Sequence, residues 1–306
     1  MGLWPFGSGK KHRSSQVPPE AAALVQRLLA AAPVLGPSLV GSLRPAVRYR
    51  AEPGESAELG RSRYGGDPDI GPGTRWPYWN TPDGESRPLR FFAQVDLAEA
   101  QRVAPVPLEL PVEGLLSFFV DLDQQGDGIT GLYSWHQPGS TVIYTPRGTP
   151  LVRLASPVET LPTAMLEAVG RWTWPTQDFD PFDEEVEALE ELDHQYEREV
   201  RGLPPNAPVD SGRHQLGGHP VFIQHPVEQE VVQALAGMFE SSEPFDEARW
   251  ERLKDQTESW RLLLQIDSDS ALDAMWGDVG TIYWMARQQD IAVREWGNGM
   301  FNLQCH

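Results

Sequence analysis

Residues 89–98, LRFFAQVDLA, and residues 260–269, WRLLLQIDSD, write one polar pattern twice. Aligned without a gap, Arg90 falls on Arg261, Gln94 on Gln265 and Asp96 on Asp267. Side chains alternate across a strand, so Leu89, Phe91, Ala93 and Val95 are expected on one face and Arg90, Phe92, Gln94 and Asp96 on the other. In the second copy Leu262, Leu264 and Ile266 oppose Arg261, Leu263, Gln265 and Asp267. Each copy then sends a Gln and an Asp out of an apolar strand, where both need hydrogen-bond partners. Two chemistries fit. Either the pairs tie down neighbouring glycine-rich loops, the commoner fate of buried amides, or they line a ligand cleft between two related halves. In the cleft reading Gln94, Asp96, Gln265 and Asp267 orient a small-molecule ligand and Trp76 and Trp276 wall it. Asp278 in WGDVG is then the carboxylate for acid–base work, although an Asp beside Gly more often stabilises a turn.

Other candidate chemistry is thinner. DLDQQGDG at 121–128 puts Asp121, Asp123 and Asp127 in calcium-loop register. The twelfth position is Leu132 where a bidentate Glu belongs, and strands are expected on both sides, so a hairpin turn is the better reading. His219 and His225 would lie roughly 20 Å apart on an extended strand and cannot share a metal there. His214 with His219 makes two ligands, too few for a strong site. ELDH at 191–194 is a single Glu-x-x-His, where di-iron bundles need two. No nucleophile elbow, phosphate loop, dinucleotide fingerprint or His-Glu-x-x-His is present. The sequence therefore assigns no catalytic residue and implies no cofactor.

The elements that position these residues also repeat. YGGDP at 64–68 matches LGGHP at 216–220, and GLLSFFV at 114–120 matches GTIYWMA at 280–286. Three matches in the same order predict an internal duplication, with insertions accommodated in the loops. The fold class that follows is α+β: two related β-rich repeats around one core, with peripheral helices. The expected organisation is a flexible basic tail over 1–17, an N-terminal helix and lead-in over 18–44, and a first repeat over 45–175. An acidic inserted helix with its linker fills 176–210, and the second repeat runs over 211–306. HPVFIQ and IAVRE read as further strands, and residues near 227–239 and 245–258 as helices. In the insert, Phe182, Val186, Leu189, Tyr196 and Val200 form one apolar stripe at helical spacing, with acids on the other face.

The chain has 306 residues and a formal net charge of −19, with 40% hydrophobic and 23% charged residues, a globular composition. Between Asp178 and Glu199 lie 11 acids and one base, Arg198. That field repels nucleic acid and anionic membrane surfaces and favours a basic protein partner. A single cysteine, Cys305, and a start without an apolar leader segment give a cytoplasmic expectation.

In order along the chain, SRYGGDPDIGPGTRWPYW, PLRFFAQVDLA, LPVEGLLSFFVD, HQLGGHP, WRLLLQIDSD, MWGDVGTIYW and FNLQC resemble the signature blocks of the YwqG-like family, a bacterial family of unknown function. The resemblance runs from about residue 45 to 305. It implies an α+β fold with antiparallel sheets and supplies no catalytic residue. The leading functional expectation is a non-catalytic interaction protein that offers the acidic helix to a basic partner, and an immunity-type role toward a basic toxin fits the same physics. The alternative is a small-molecule binder or hydrolase using a cleft between the repeats.

Overall fold

The computed structural model describes residues 19–81, 84–121, 139–175, 184–209, 212–238 and 245–306. Helices α1 (Ala22–Ala31) and α2 (Gly36–Gly41) come first; α1 buries Leu24, Val25 and Leu28, one face of a short amphipathic helix. Strand β1 (Arg44–Pro53) is followed by four short strands in Gly- and Pro-rich chain: β2 (Arg63–Tyr64), β3 (Asp69–Ile70), β4 (Tyr78–Asn80) and β5 (Ser86–Pro88). Strand β6 (Arg90–Asp96) runs into α3 (Leu97–Val103), and β7 (Leu115–Val120), β8 (Ser140–Thr145), β9 (Val152–Arg153) and β10 (Ala164–Thr173) complete the first half. The acidic helix is α4 (Glu184–Arg201). Strand β11 (His214–Gly217), helices α5 (Val227–Leu235) and α6 (Glu247–Leu253), strands β12 (Trp260–Asp267) and β13 (Thr281–Arg287), α7 (Gln288–Val293) and β14 (Met300–Gln304) follow.

Ten strands form one antiparallel sheet in the order β14-β13-β12-β11-β1-β10-β2-β6-β7-β8. Its spine is β1 against β10, paired over ten residues from Arg44↔Thr173 to Pro53↔Ala164. The two flanks curl until their inner faces meet. Phe92 on β6 and Phe118 on β7 stand 4.9 and 5.3 Å from Trp284 on β13, and Tyr144 on β8 stands 6.2 Å from Trp296 just before β14. The sheet is thus nearly closed around an apolar interior that includes Val47, Tyr49, Phe92, Leu264 and Trp284. Smaller clusters lie outside it, under α1, α2 and α4, under α5 and α6, and under the loop carrying Trp76 and Trp79.

Strict alternation fails in both copies of the repeated strand, and at the same place. The β6–β7 register shifts between Phe91 and Ala93, and the β12–β13 register shifts between Leu262 and Leu264. Each is a bulge, which sets two residues against one and reverses the facing of everything before it. Phe92 therefore joins Ala93 and Val95 in the interior, while Phe91 packs outside with Leu89 and Phe119. Likewise Leu263 joins Leu264 and Ile266 inside, and Leu262 packs outside with Val227 and Trp260.

Two expected strands take other forms. Around HPVFIQ the ladder stops at Gly217, and the backbone N–H groups of Val221, Ile223 and Gln224 bond the side-chain oxygens of Gln265 and Gln304 in place of a neighbouring strand. IAVRE lies largely in α7, which buries Ile291 and ends with Arg294 in the left-handed region at φ 62°. The expected helices near 227–239 and 245–258 correspond to α5 and to α6 with its following 3₁₀ turn. Among the described residues no helix is long and apolar enough to cross a membrane.

Candidate functional site

The repeated glutamines occupy equivalent positions and make equivalent bonds. Gln94 Oε1 accepts from the Asp69 N–H at 2.9 Å, and its Nε2 donates to the Arg61 carbonyl at 2.8 Å. Gln265 Oε1 accepts from the Val221 N–H at 2.9 Å, and its Nε2 donates to the Arg213 carbonyl at 3.0 Å. Both side chains are fully buried. Each spans a double-glycine turn whose glycines all have positive φ: Gly65 and Gly66 in one half, Gly217 and Gly218 in the other. At Gly65 a Cβ would sit 1.9 Å from the Pro162 carbonyl oxygen, so the turn tolerates no side chain there.

The aspartates do different things. Asp96 caps α3 by accepting from the Ala98 N–H at 2.9 Å and is half-buried at the wall of an open cleft of about 300 Å³ that Arg102 and Arg147 also line. Asp267 is buried, accepting from Thr281 Oγ1 at 2.7 Å and from the Arg213 N–H at 3.1 Å. Asp278 is exposed, and its backbone carbonyl accepts from the His306 N–H. Trp276 is buried in the interior against Tyr64 and Phe92, with centroids 6.4 and 5.2 Å away, whereas Trp76 packs outside the sheet on Phe119. Gln94, Asp96, Gln265, Asp267 and Asp278 share no hydrogen-bond partner with one another across the two copies and line no common cavity among the described residues. The space between the halves is filled by Phe92, Phe118 and Trp284. Of the calcium candidates, Asp121 lies 4.0 Å from Arg87, while Asp123 and Asp127 fall outside the described residues.

A family model matches residues 62–305, described as a domain of unknown function, DUF1963. The chain belongs to the DUF1963 family. No curated protein matches it. The DUF1963 segment contains both repeated strand pairs, α4 and β10, but begins after β1, although β1 is the strand that joins the two flanks of the sheet.

Within that segment α4 uses its acids in two ways. Three face inward. Glu197 is fully buried and bonds Arg48 on β1, with 3.1 Å to Nε, and Arg171 on β10. Asp193 takes Arg171 Nη2 at 2.9 Å. Glu185 accepts the N–H groups of Val34 and Leu35 at the start of α2. Burial works against the Glu197 carboxylate, but the Arg48 and Arg171 charges outweigh it and hold its pKa below the ordinary value; Asp193 is lowered in the same way, chiefly by Arg171. Arg171 also lies 5.2 Å over the Tyr196 ring. The outward residues Glu184, Glu187, Glu190 and Glu191 are exposed. Among the described residues Glu184, Glu187 and Glu190 have no ion-pair partner, and Glu191 has only Arg198 at 3.9 Å. Of the expected apolar stripe Val186 and Leu189 are buried and Tyr196 is half-buried, while Phe182 lies outside the described residues; periodicity did not find the arginines beneath, because Arg48 and Arg171 reach α4 only through the β1–β10 pairing.

Proposed function

We propose that this DUF1963 protein is a non-catalytic interaction protein that presents the outward face of α4 to a basic protein partner. The observation that carries this reading is the division of labour on α4. Buried arginines neutralise Glu197 and Asp193 and backbone N–H groups hold Glu185, so the uncompensated charge is concentrated on the face that meets solvent. Residues three and four apart on a helix lie within about 6 Å of one another, so Glu184, Glu187 and Glu191 form one stripe with Glu190 beside it. A stripe of that kind steers a cationic surface toward itself and repels nucleic acid and anionic lipid. The single, half-buried Cys305 fits action in the cytosol.

The same proposal takes the two halves as copies of one unit and the chain as YwqG-like. What supports duplication is the shared bulge, the matched register and the paired glutamine bonds. Native mass spectrometry of the protein, purified gently from its own cells, tests the interaction. A protein-sized mass addition that survives in wild type, weakens as salt rises, and is lost from a Glu184→Lys/Glu187→Lys/Glu190→Lys variant of unchanged melting temperature is the expected result. An addition that the triple variant retains, or none at all, refutes the reading.

A further inference from the structure

One cavity lies where β1 begins, β11 ends and β12 begins, closed over by the chain after α3 and by α7. It encloses about 90 Å³ and is partly open to solvent, so a ligand's head group would sit inside and its tail would run out along the wall. Its walls are mainly apolar, from Leu108, Leu110, Leu262 and Ile291, and two arginines, Arg44 and Arg261, enter it. The backbone of Gly217 and Gly218, both at positive φ, completes the wall.

The two arginines differ in one decisive respect. Arg261 is engaged on all three nitrogens: Nε donates to Glu109 at 3.2 Å, Nη1 to the carbonyls of Glu258 and Trp260 at 2.7 and 2.9 Å, and Nη2 to Gln288 at 2.9 Å. The Arg44 guanidinium has no hydrogen-bond or ion-pair partner among the described residues, although Glu109 and Glu228 are near enough to act on its charge. Burial and the like charge of Arg261 both lower its pKa. This half-buried guanidinium offers five donors in a planar fork, and no described protein group receives any of them. A carboxylate completes it, because its two oxygens match that fork.

We propose that this cavity binds a small amphipathic carboxylate, its head group on Arg44 and its apolar tail along Leu108, Leu110, Leu262 and Ile291. The cavity charge favours one such anion: two arginines face one lining carboxylate, Glu109, which Arg261 already holds. The site is separate from the α4 surface, so either proposal can fail without the other.

Calorimetric titration of the full chain with octanoate, butyrate, 1-octanol, octylamine and inorganic phosphate tests the assignment. Octanoate should bind, with affinity falling by about fourfold for each methylene removed on the way to butyrate. The alcohol, the amine and phosphate should each bind at least about tenfold more weakly than octanoate. Arg44→Met should lose octanoate affinity by a similar factor while melting no lower than wild type, since it removes a half-buried charge that bonds no described residue. Octanol binding as tightly as octanoate, phosphate doing so, full affinity in Arg44→Met, or no binding of octanoate overturns the proposal. The ligand series in wild type decides the matter even if the variant does not fold.

Discussion

Acidification from pH 7 to pH 5 should cost the fold about 2 kcal/mol through one side chain, His219. Its Nε2 donates to the Ser42 carbonyl at 2.7 Å. Burial, then the nearby Arg44 and Arg261 charges, push the imidazole from 6.5 down to about 3, with the Ser42 bond opposing them. A histidine with a lowered folded pKa binds fewer protons folded than unfolded. Its contribution is therefore intact above 6.5 and is lost as the pH falls through the window from 6.5 to about 3. Each unit inside that window costs about 1.4 kcal/mol, and pH 5 lies about 1.5 units into it. The comparison that isolates this contribution is His219→Gln, whose amide N–H can reach the Ser42 carbonyl but does not titrate. Urea denaturation of both proteins at pH 7, 6 and 5 measures it. The stability of wild type relative to the variant should fall by about 2 kcal/mol between pH 7 and pH 5, with most of the change below pH 6.5. If the two pH profiles run parallel, His219 is not held neutral by its surroundings and the argument is wrong.

Two further perturbations test the buried charges. Glu197→Ala leaves Arg48 and Arg171 buried without their shared carboxylate and should cost about 3–5 kcal/mol in urea denaturation at pH 7. Because the folded pKa of Glu197 is lowered, that penalty should shrink only below its ordinary value of 4.5, where the carboxylate of the unfolded chain begins to protonate. Glu230 has the opposite sign. Burial raises its pKa although it accepts from Asn302 Nδ2 at 2.6 Å and Gln304 Nε2 at 2.7 Å. Charging it on folding is unfavourable, so Glu230→Gln, which keeps both acceptor bonds, should be at least as stable as wild type at pH 7. That advantage should vanish below pH 4.5, and a loss of more than about 1 kcal/mol at pH 7 counts against the assignment.

The likeness of the two strand sets was legible because it rests on residue identity within short blocks, and those blocks fall on strands and turns with similar neighbours. The bulge was not legible. Phe91–Phe92 and Leu262–Leu263–Leu264 are apolar throughout, so a binary pattern looks the same with or without an extra residue. The acidic run was legible as a helix, but Glu197 and Asp193 looked like any other acids on it. Their arginine partners on β1 and β10 are separated from them by long stretches of chain: Arg48 is 149 residues from Glu197. Asp69 lies in a Gly- and Pro-rich stretch where no spacing singles it out. It is fully buried, and it accepts from Arg153 Nε at 2.9 Å, from the Gly60 N–H and from Gln94 Nε2. Arg44 and Arg261 become neighbours only because three strand ends of the sheet converge, which no local pattern records.

The choice of glutamine in both halves has a common physical cause. A double glycine at positive φ turns the chain out of the ladder, and the segments on either side lose a neighbouring strand. One carbonyl and one N–H are stranded in each half: Arg61 and Asp69 in the first, Arg213 and Val221 in the second. Meeting both with one side chain requires an acceptor and a donor at the end of a reach longer than asparagine's, and a primary amide supplies them. Glutamate would supply only acceptors, and leucine would leave both backbone groups unpaired in a buried place. Each repeated glutamine thus stands in for the edge of a missing strand. Among the features that the halves do not share are the α4 insert and the Arg44 cavity beside the second double glycine. The repeated glutamines are occupied in closing the sheet, each bridging its own double-glycine turn.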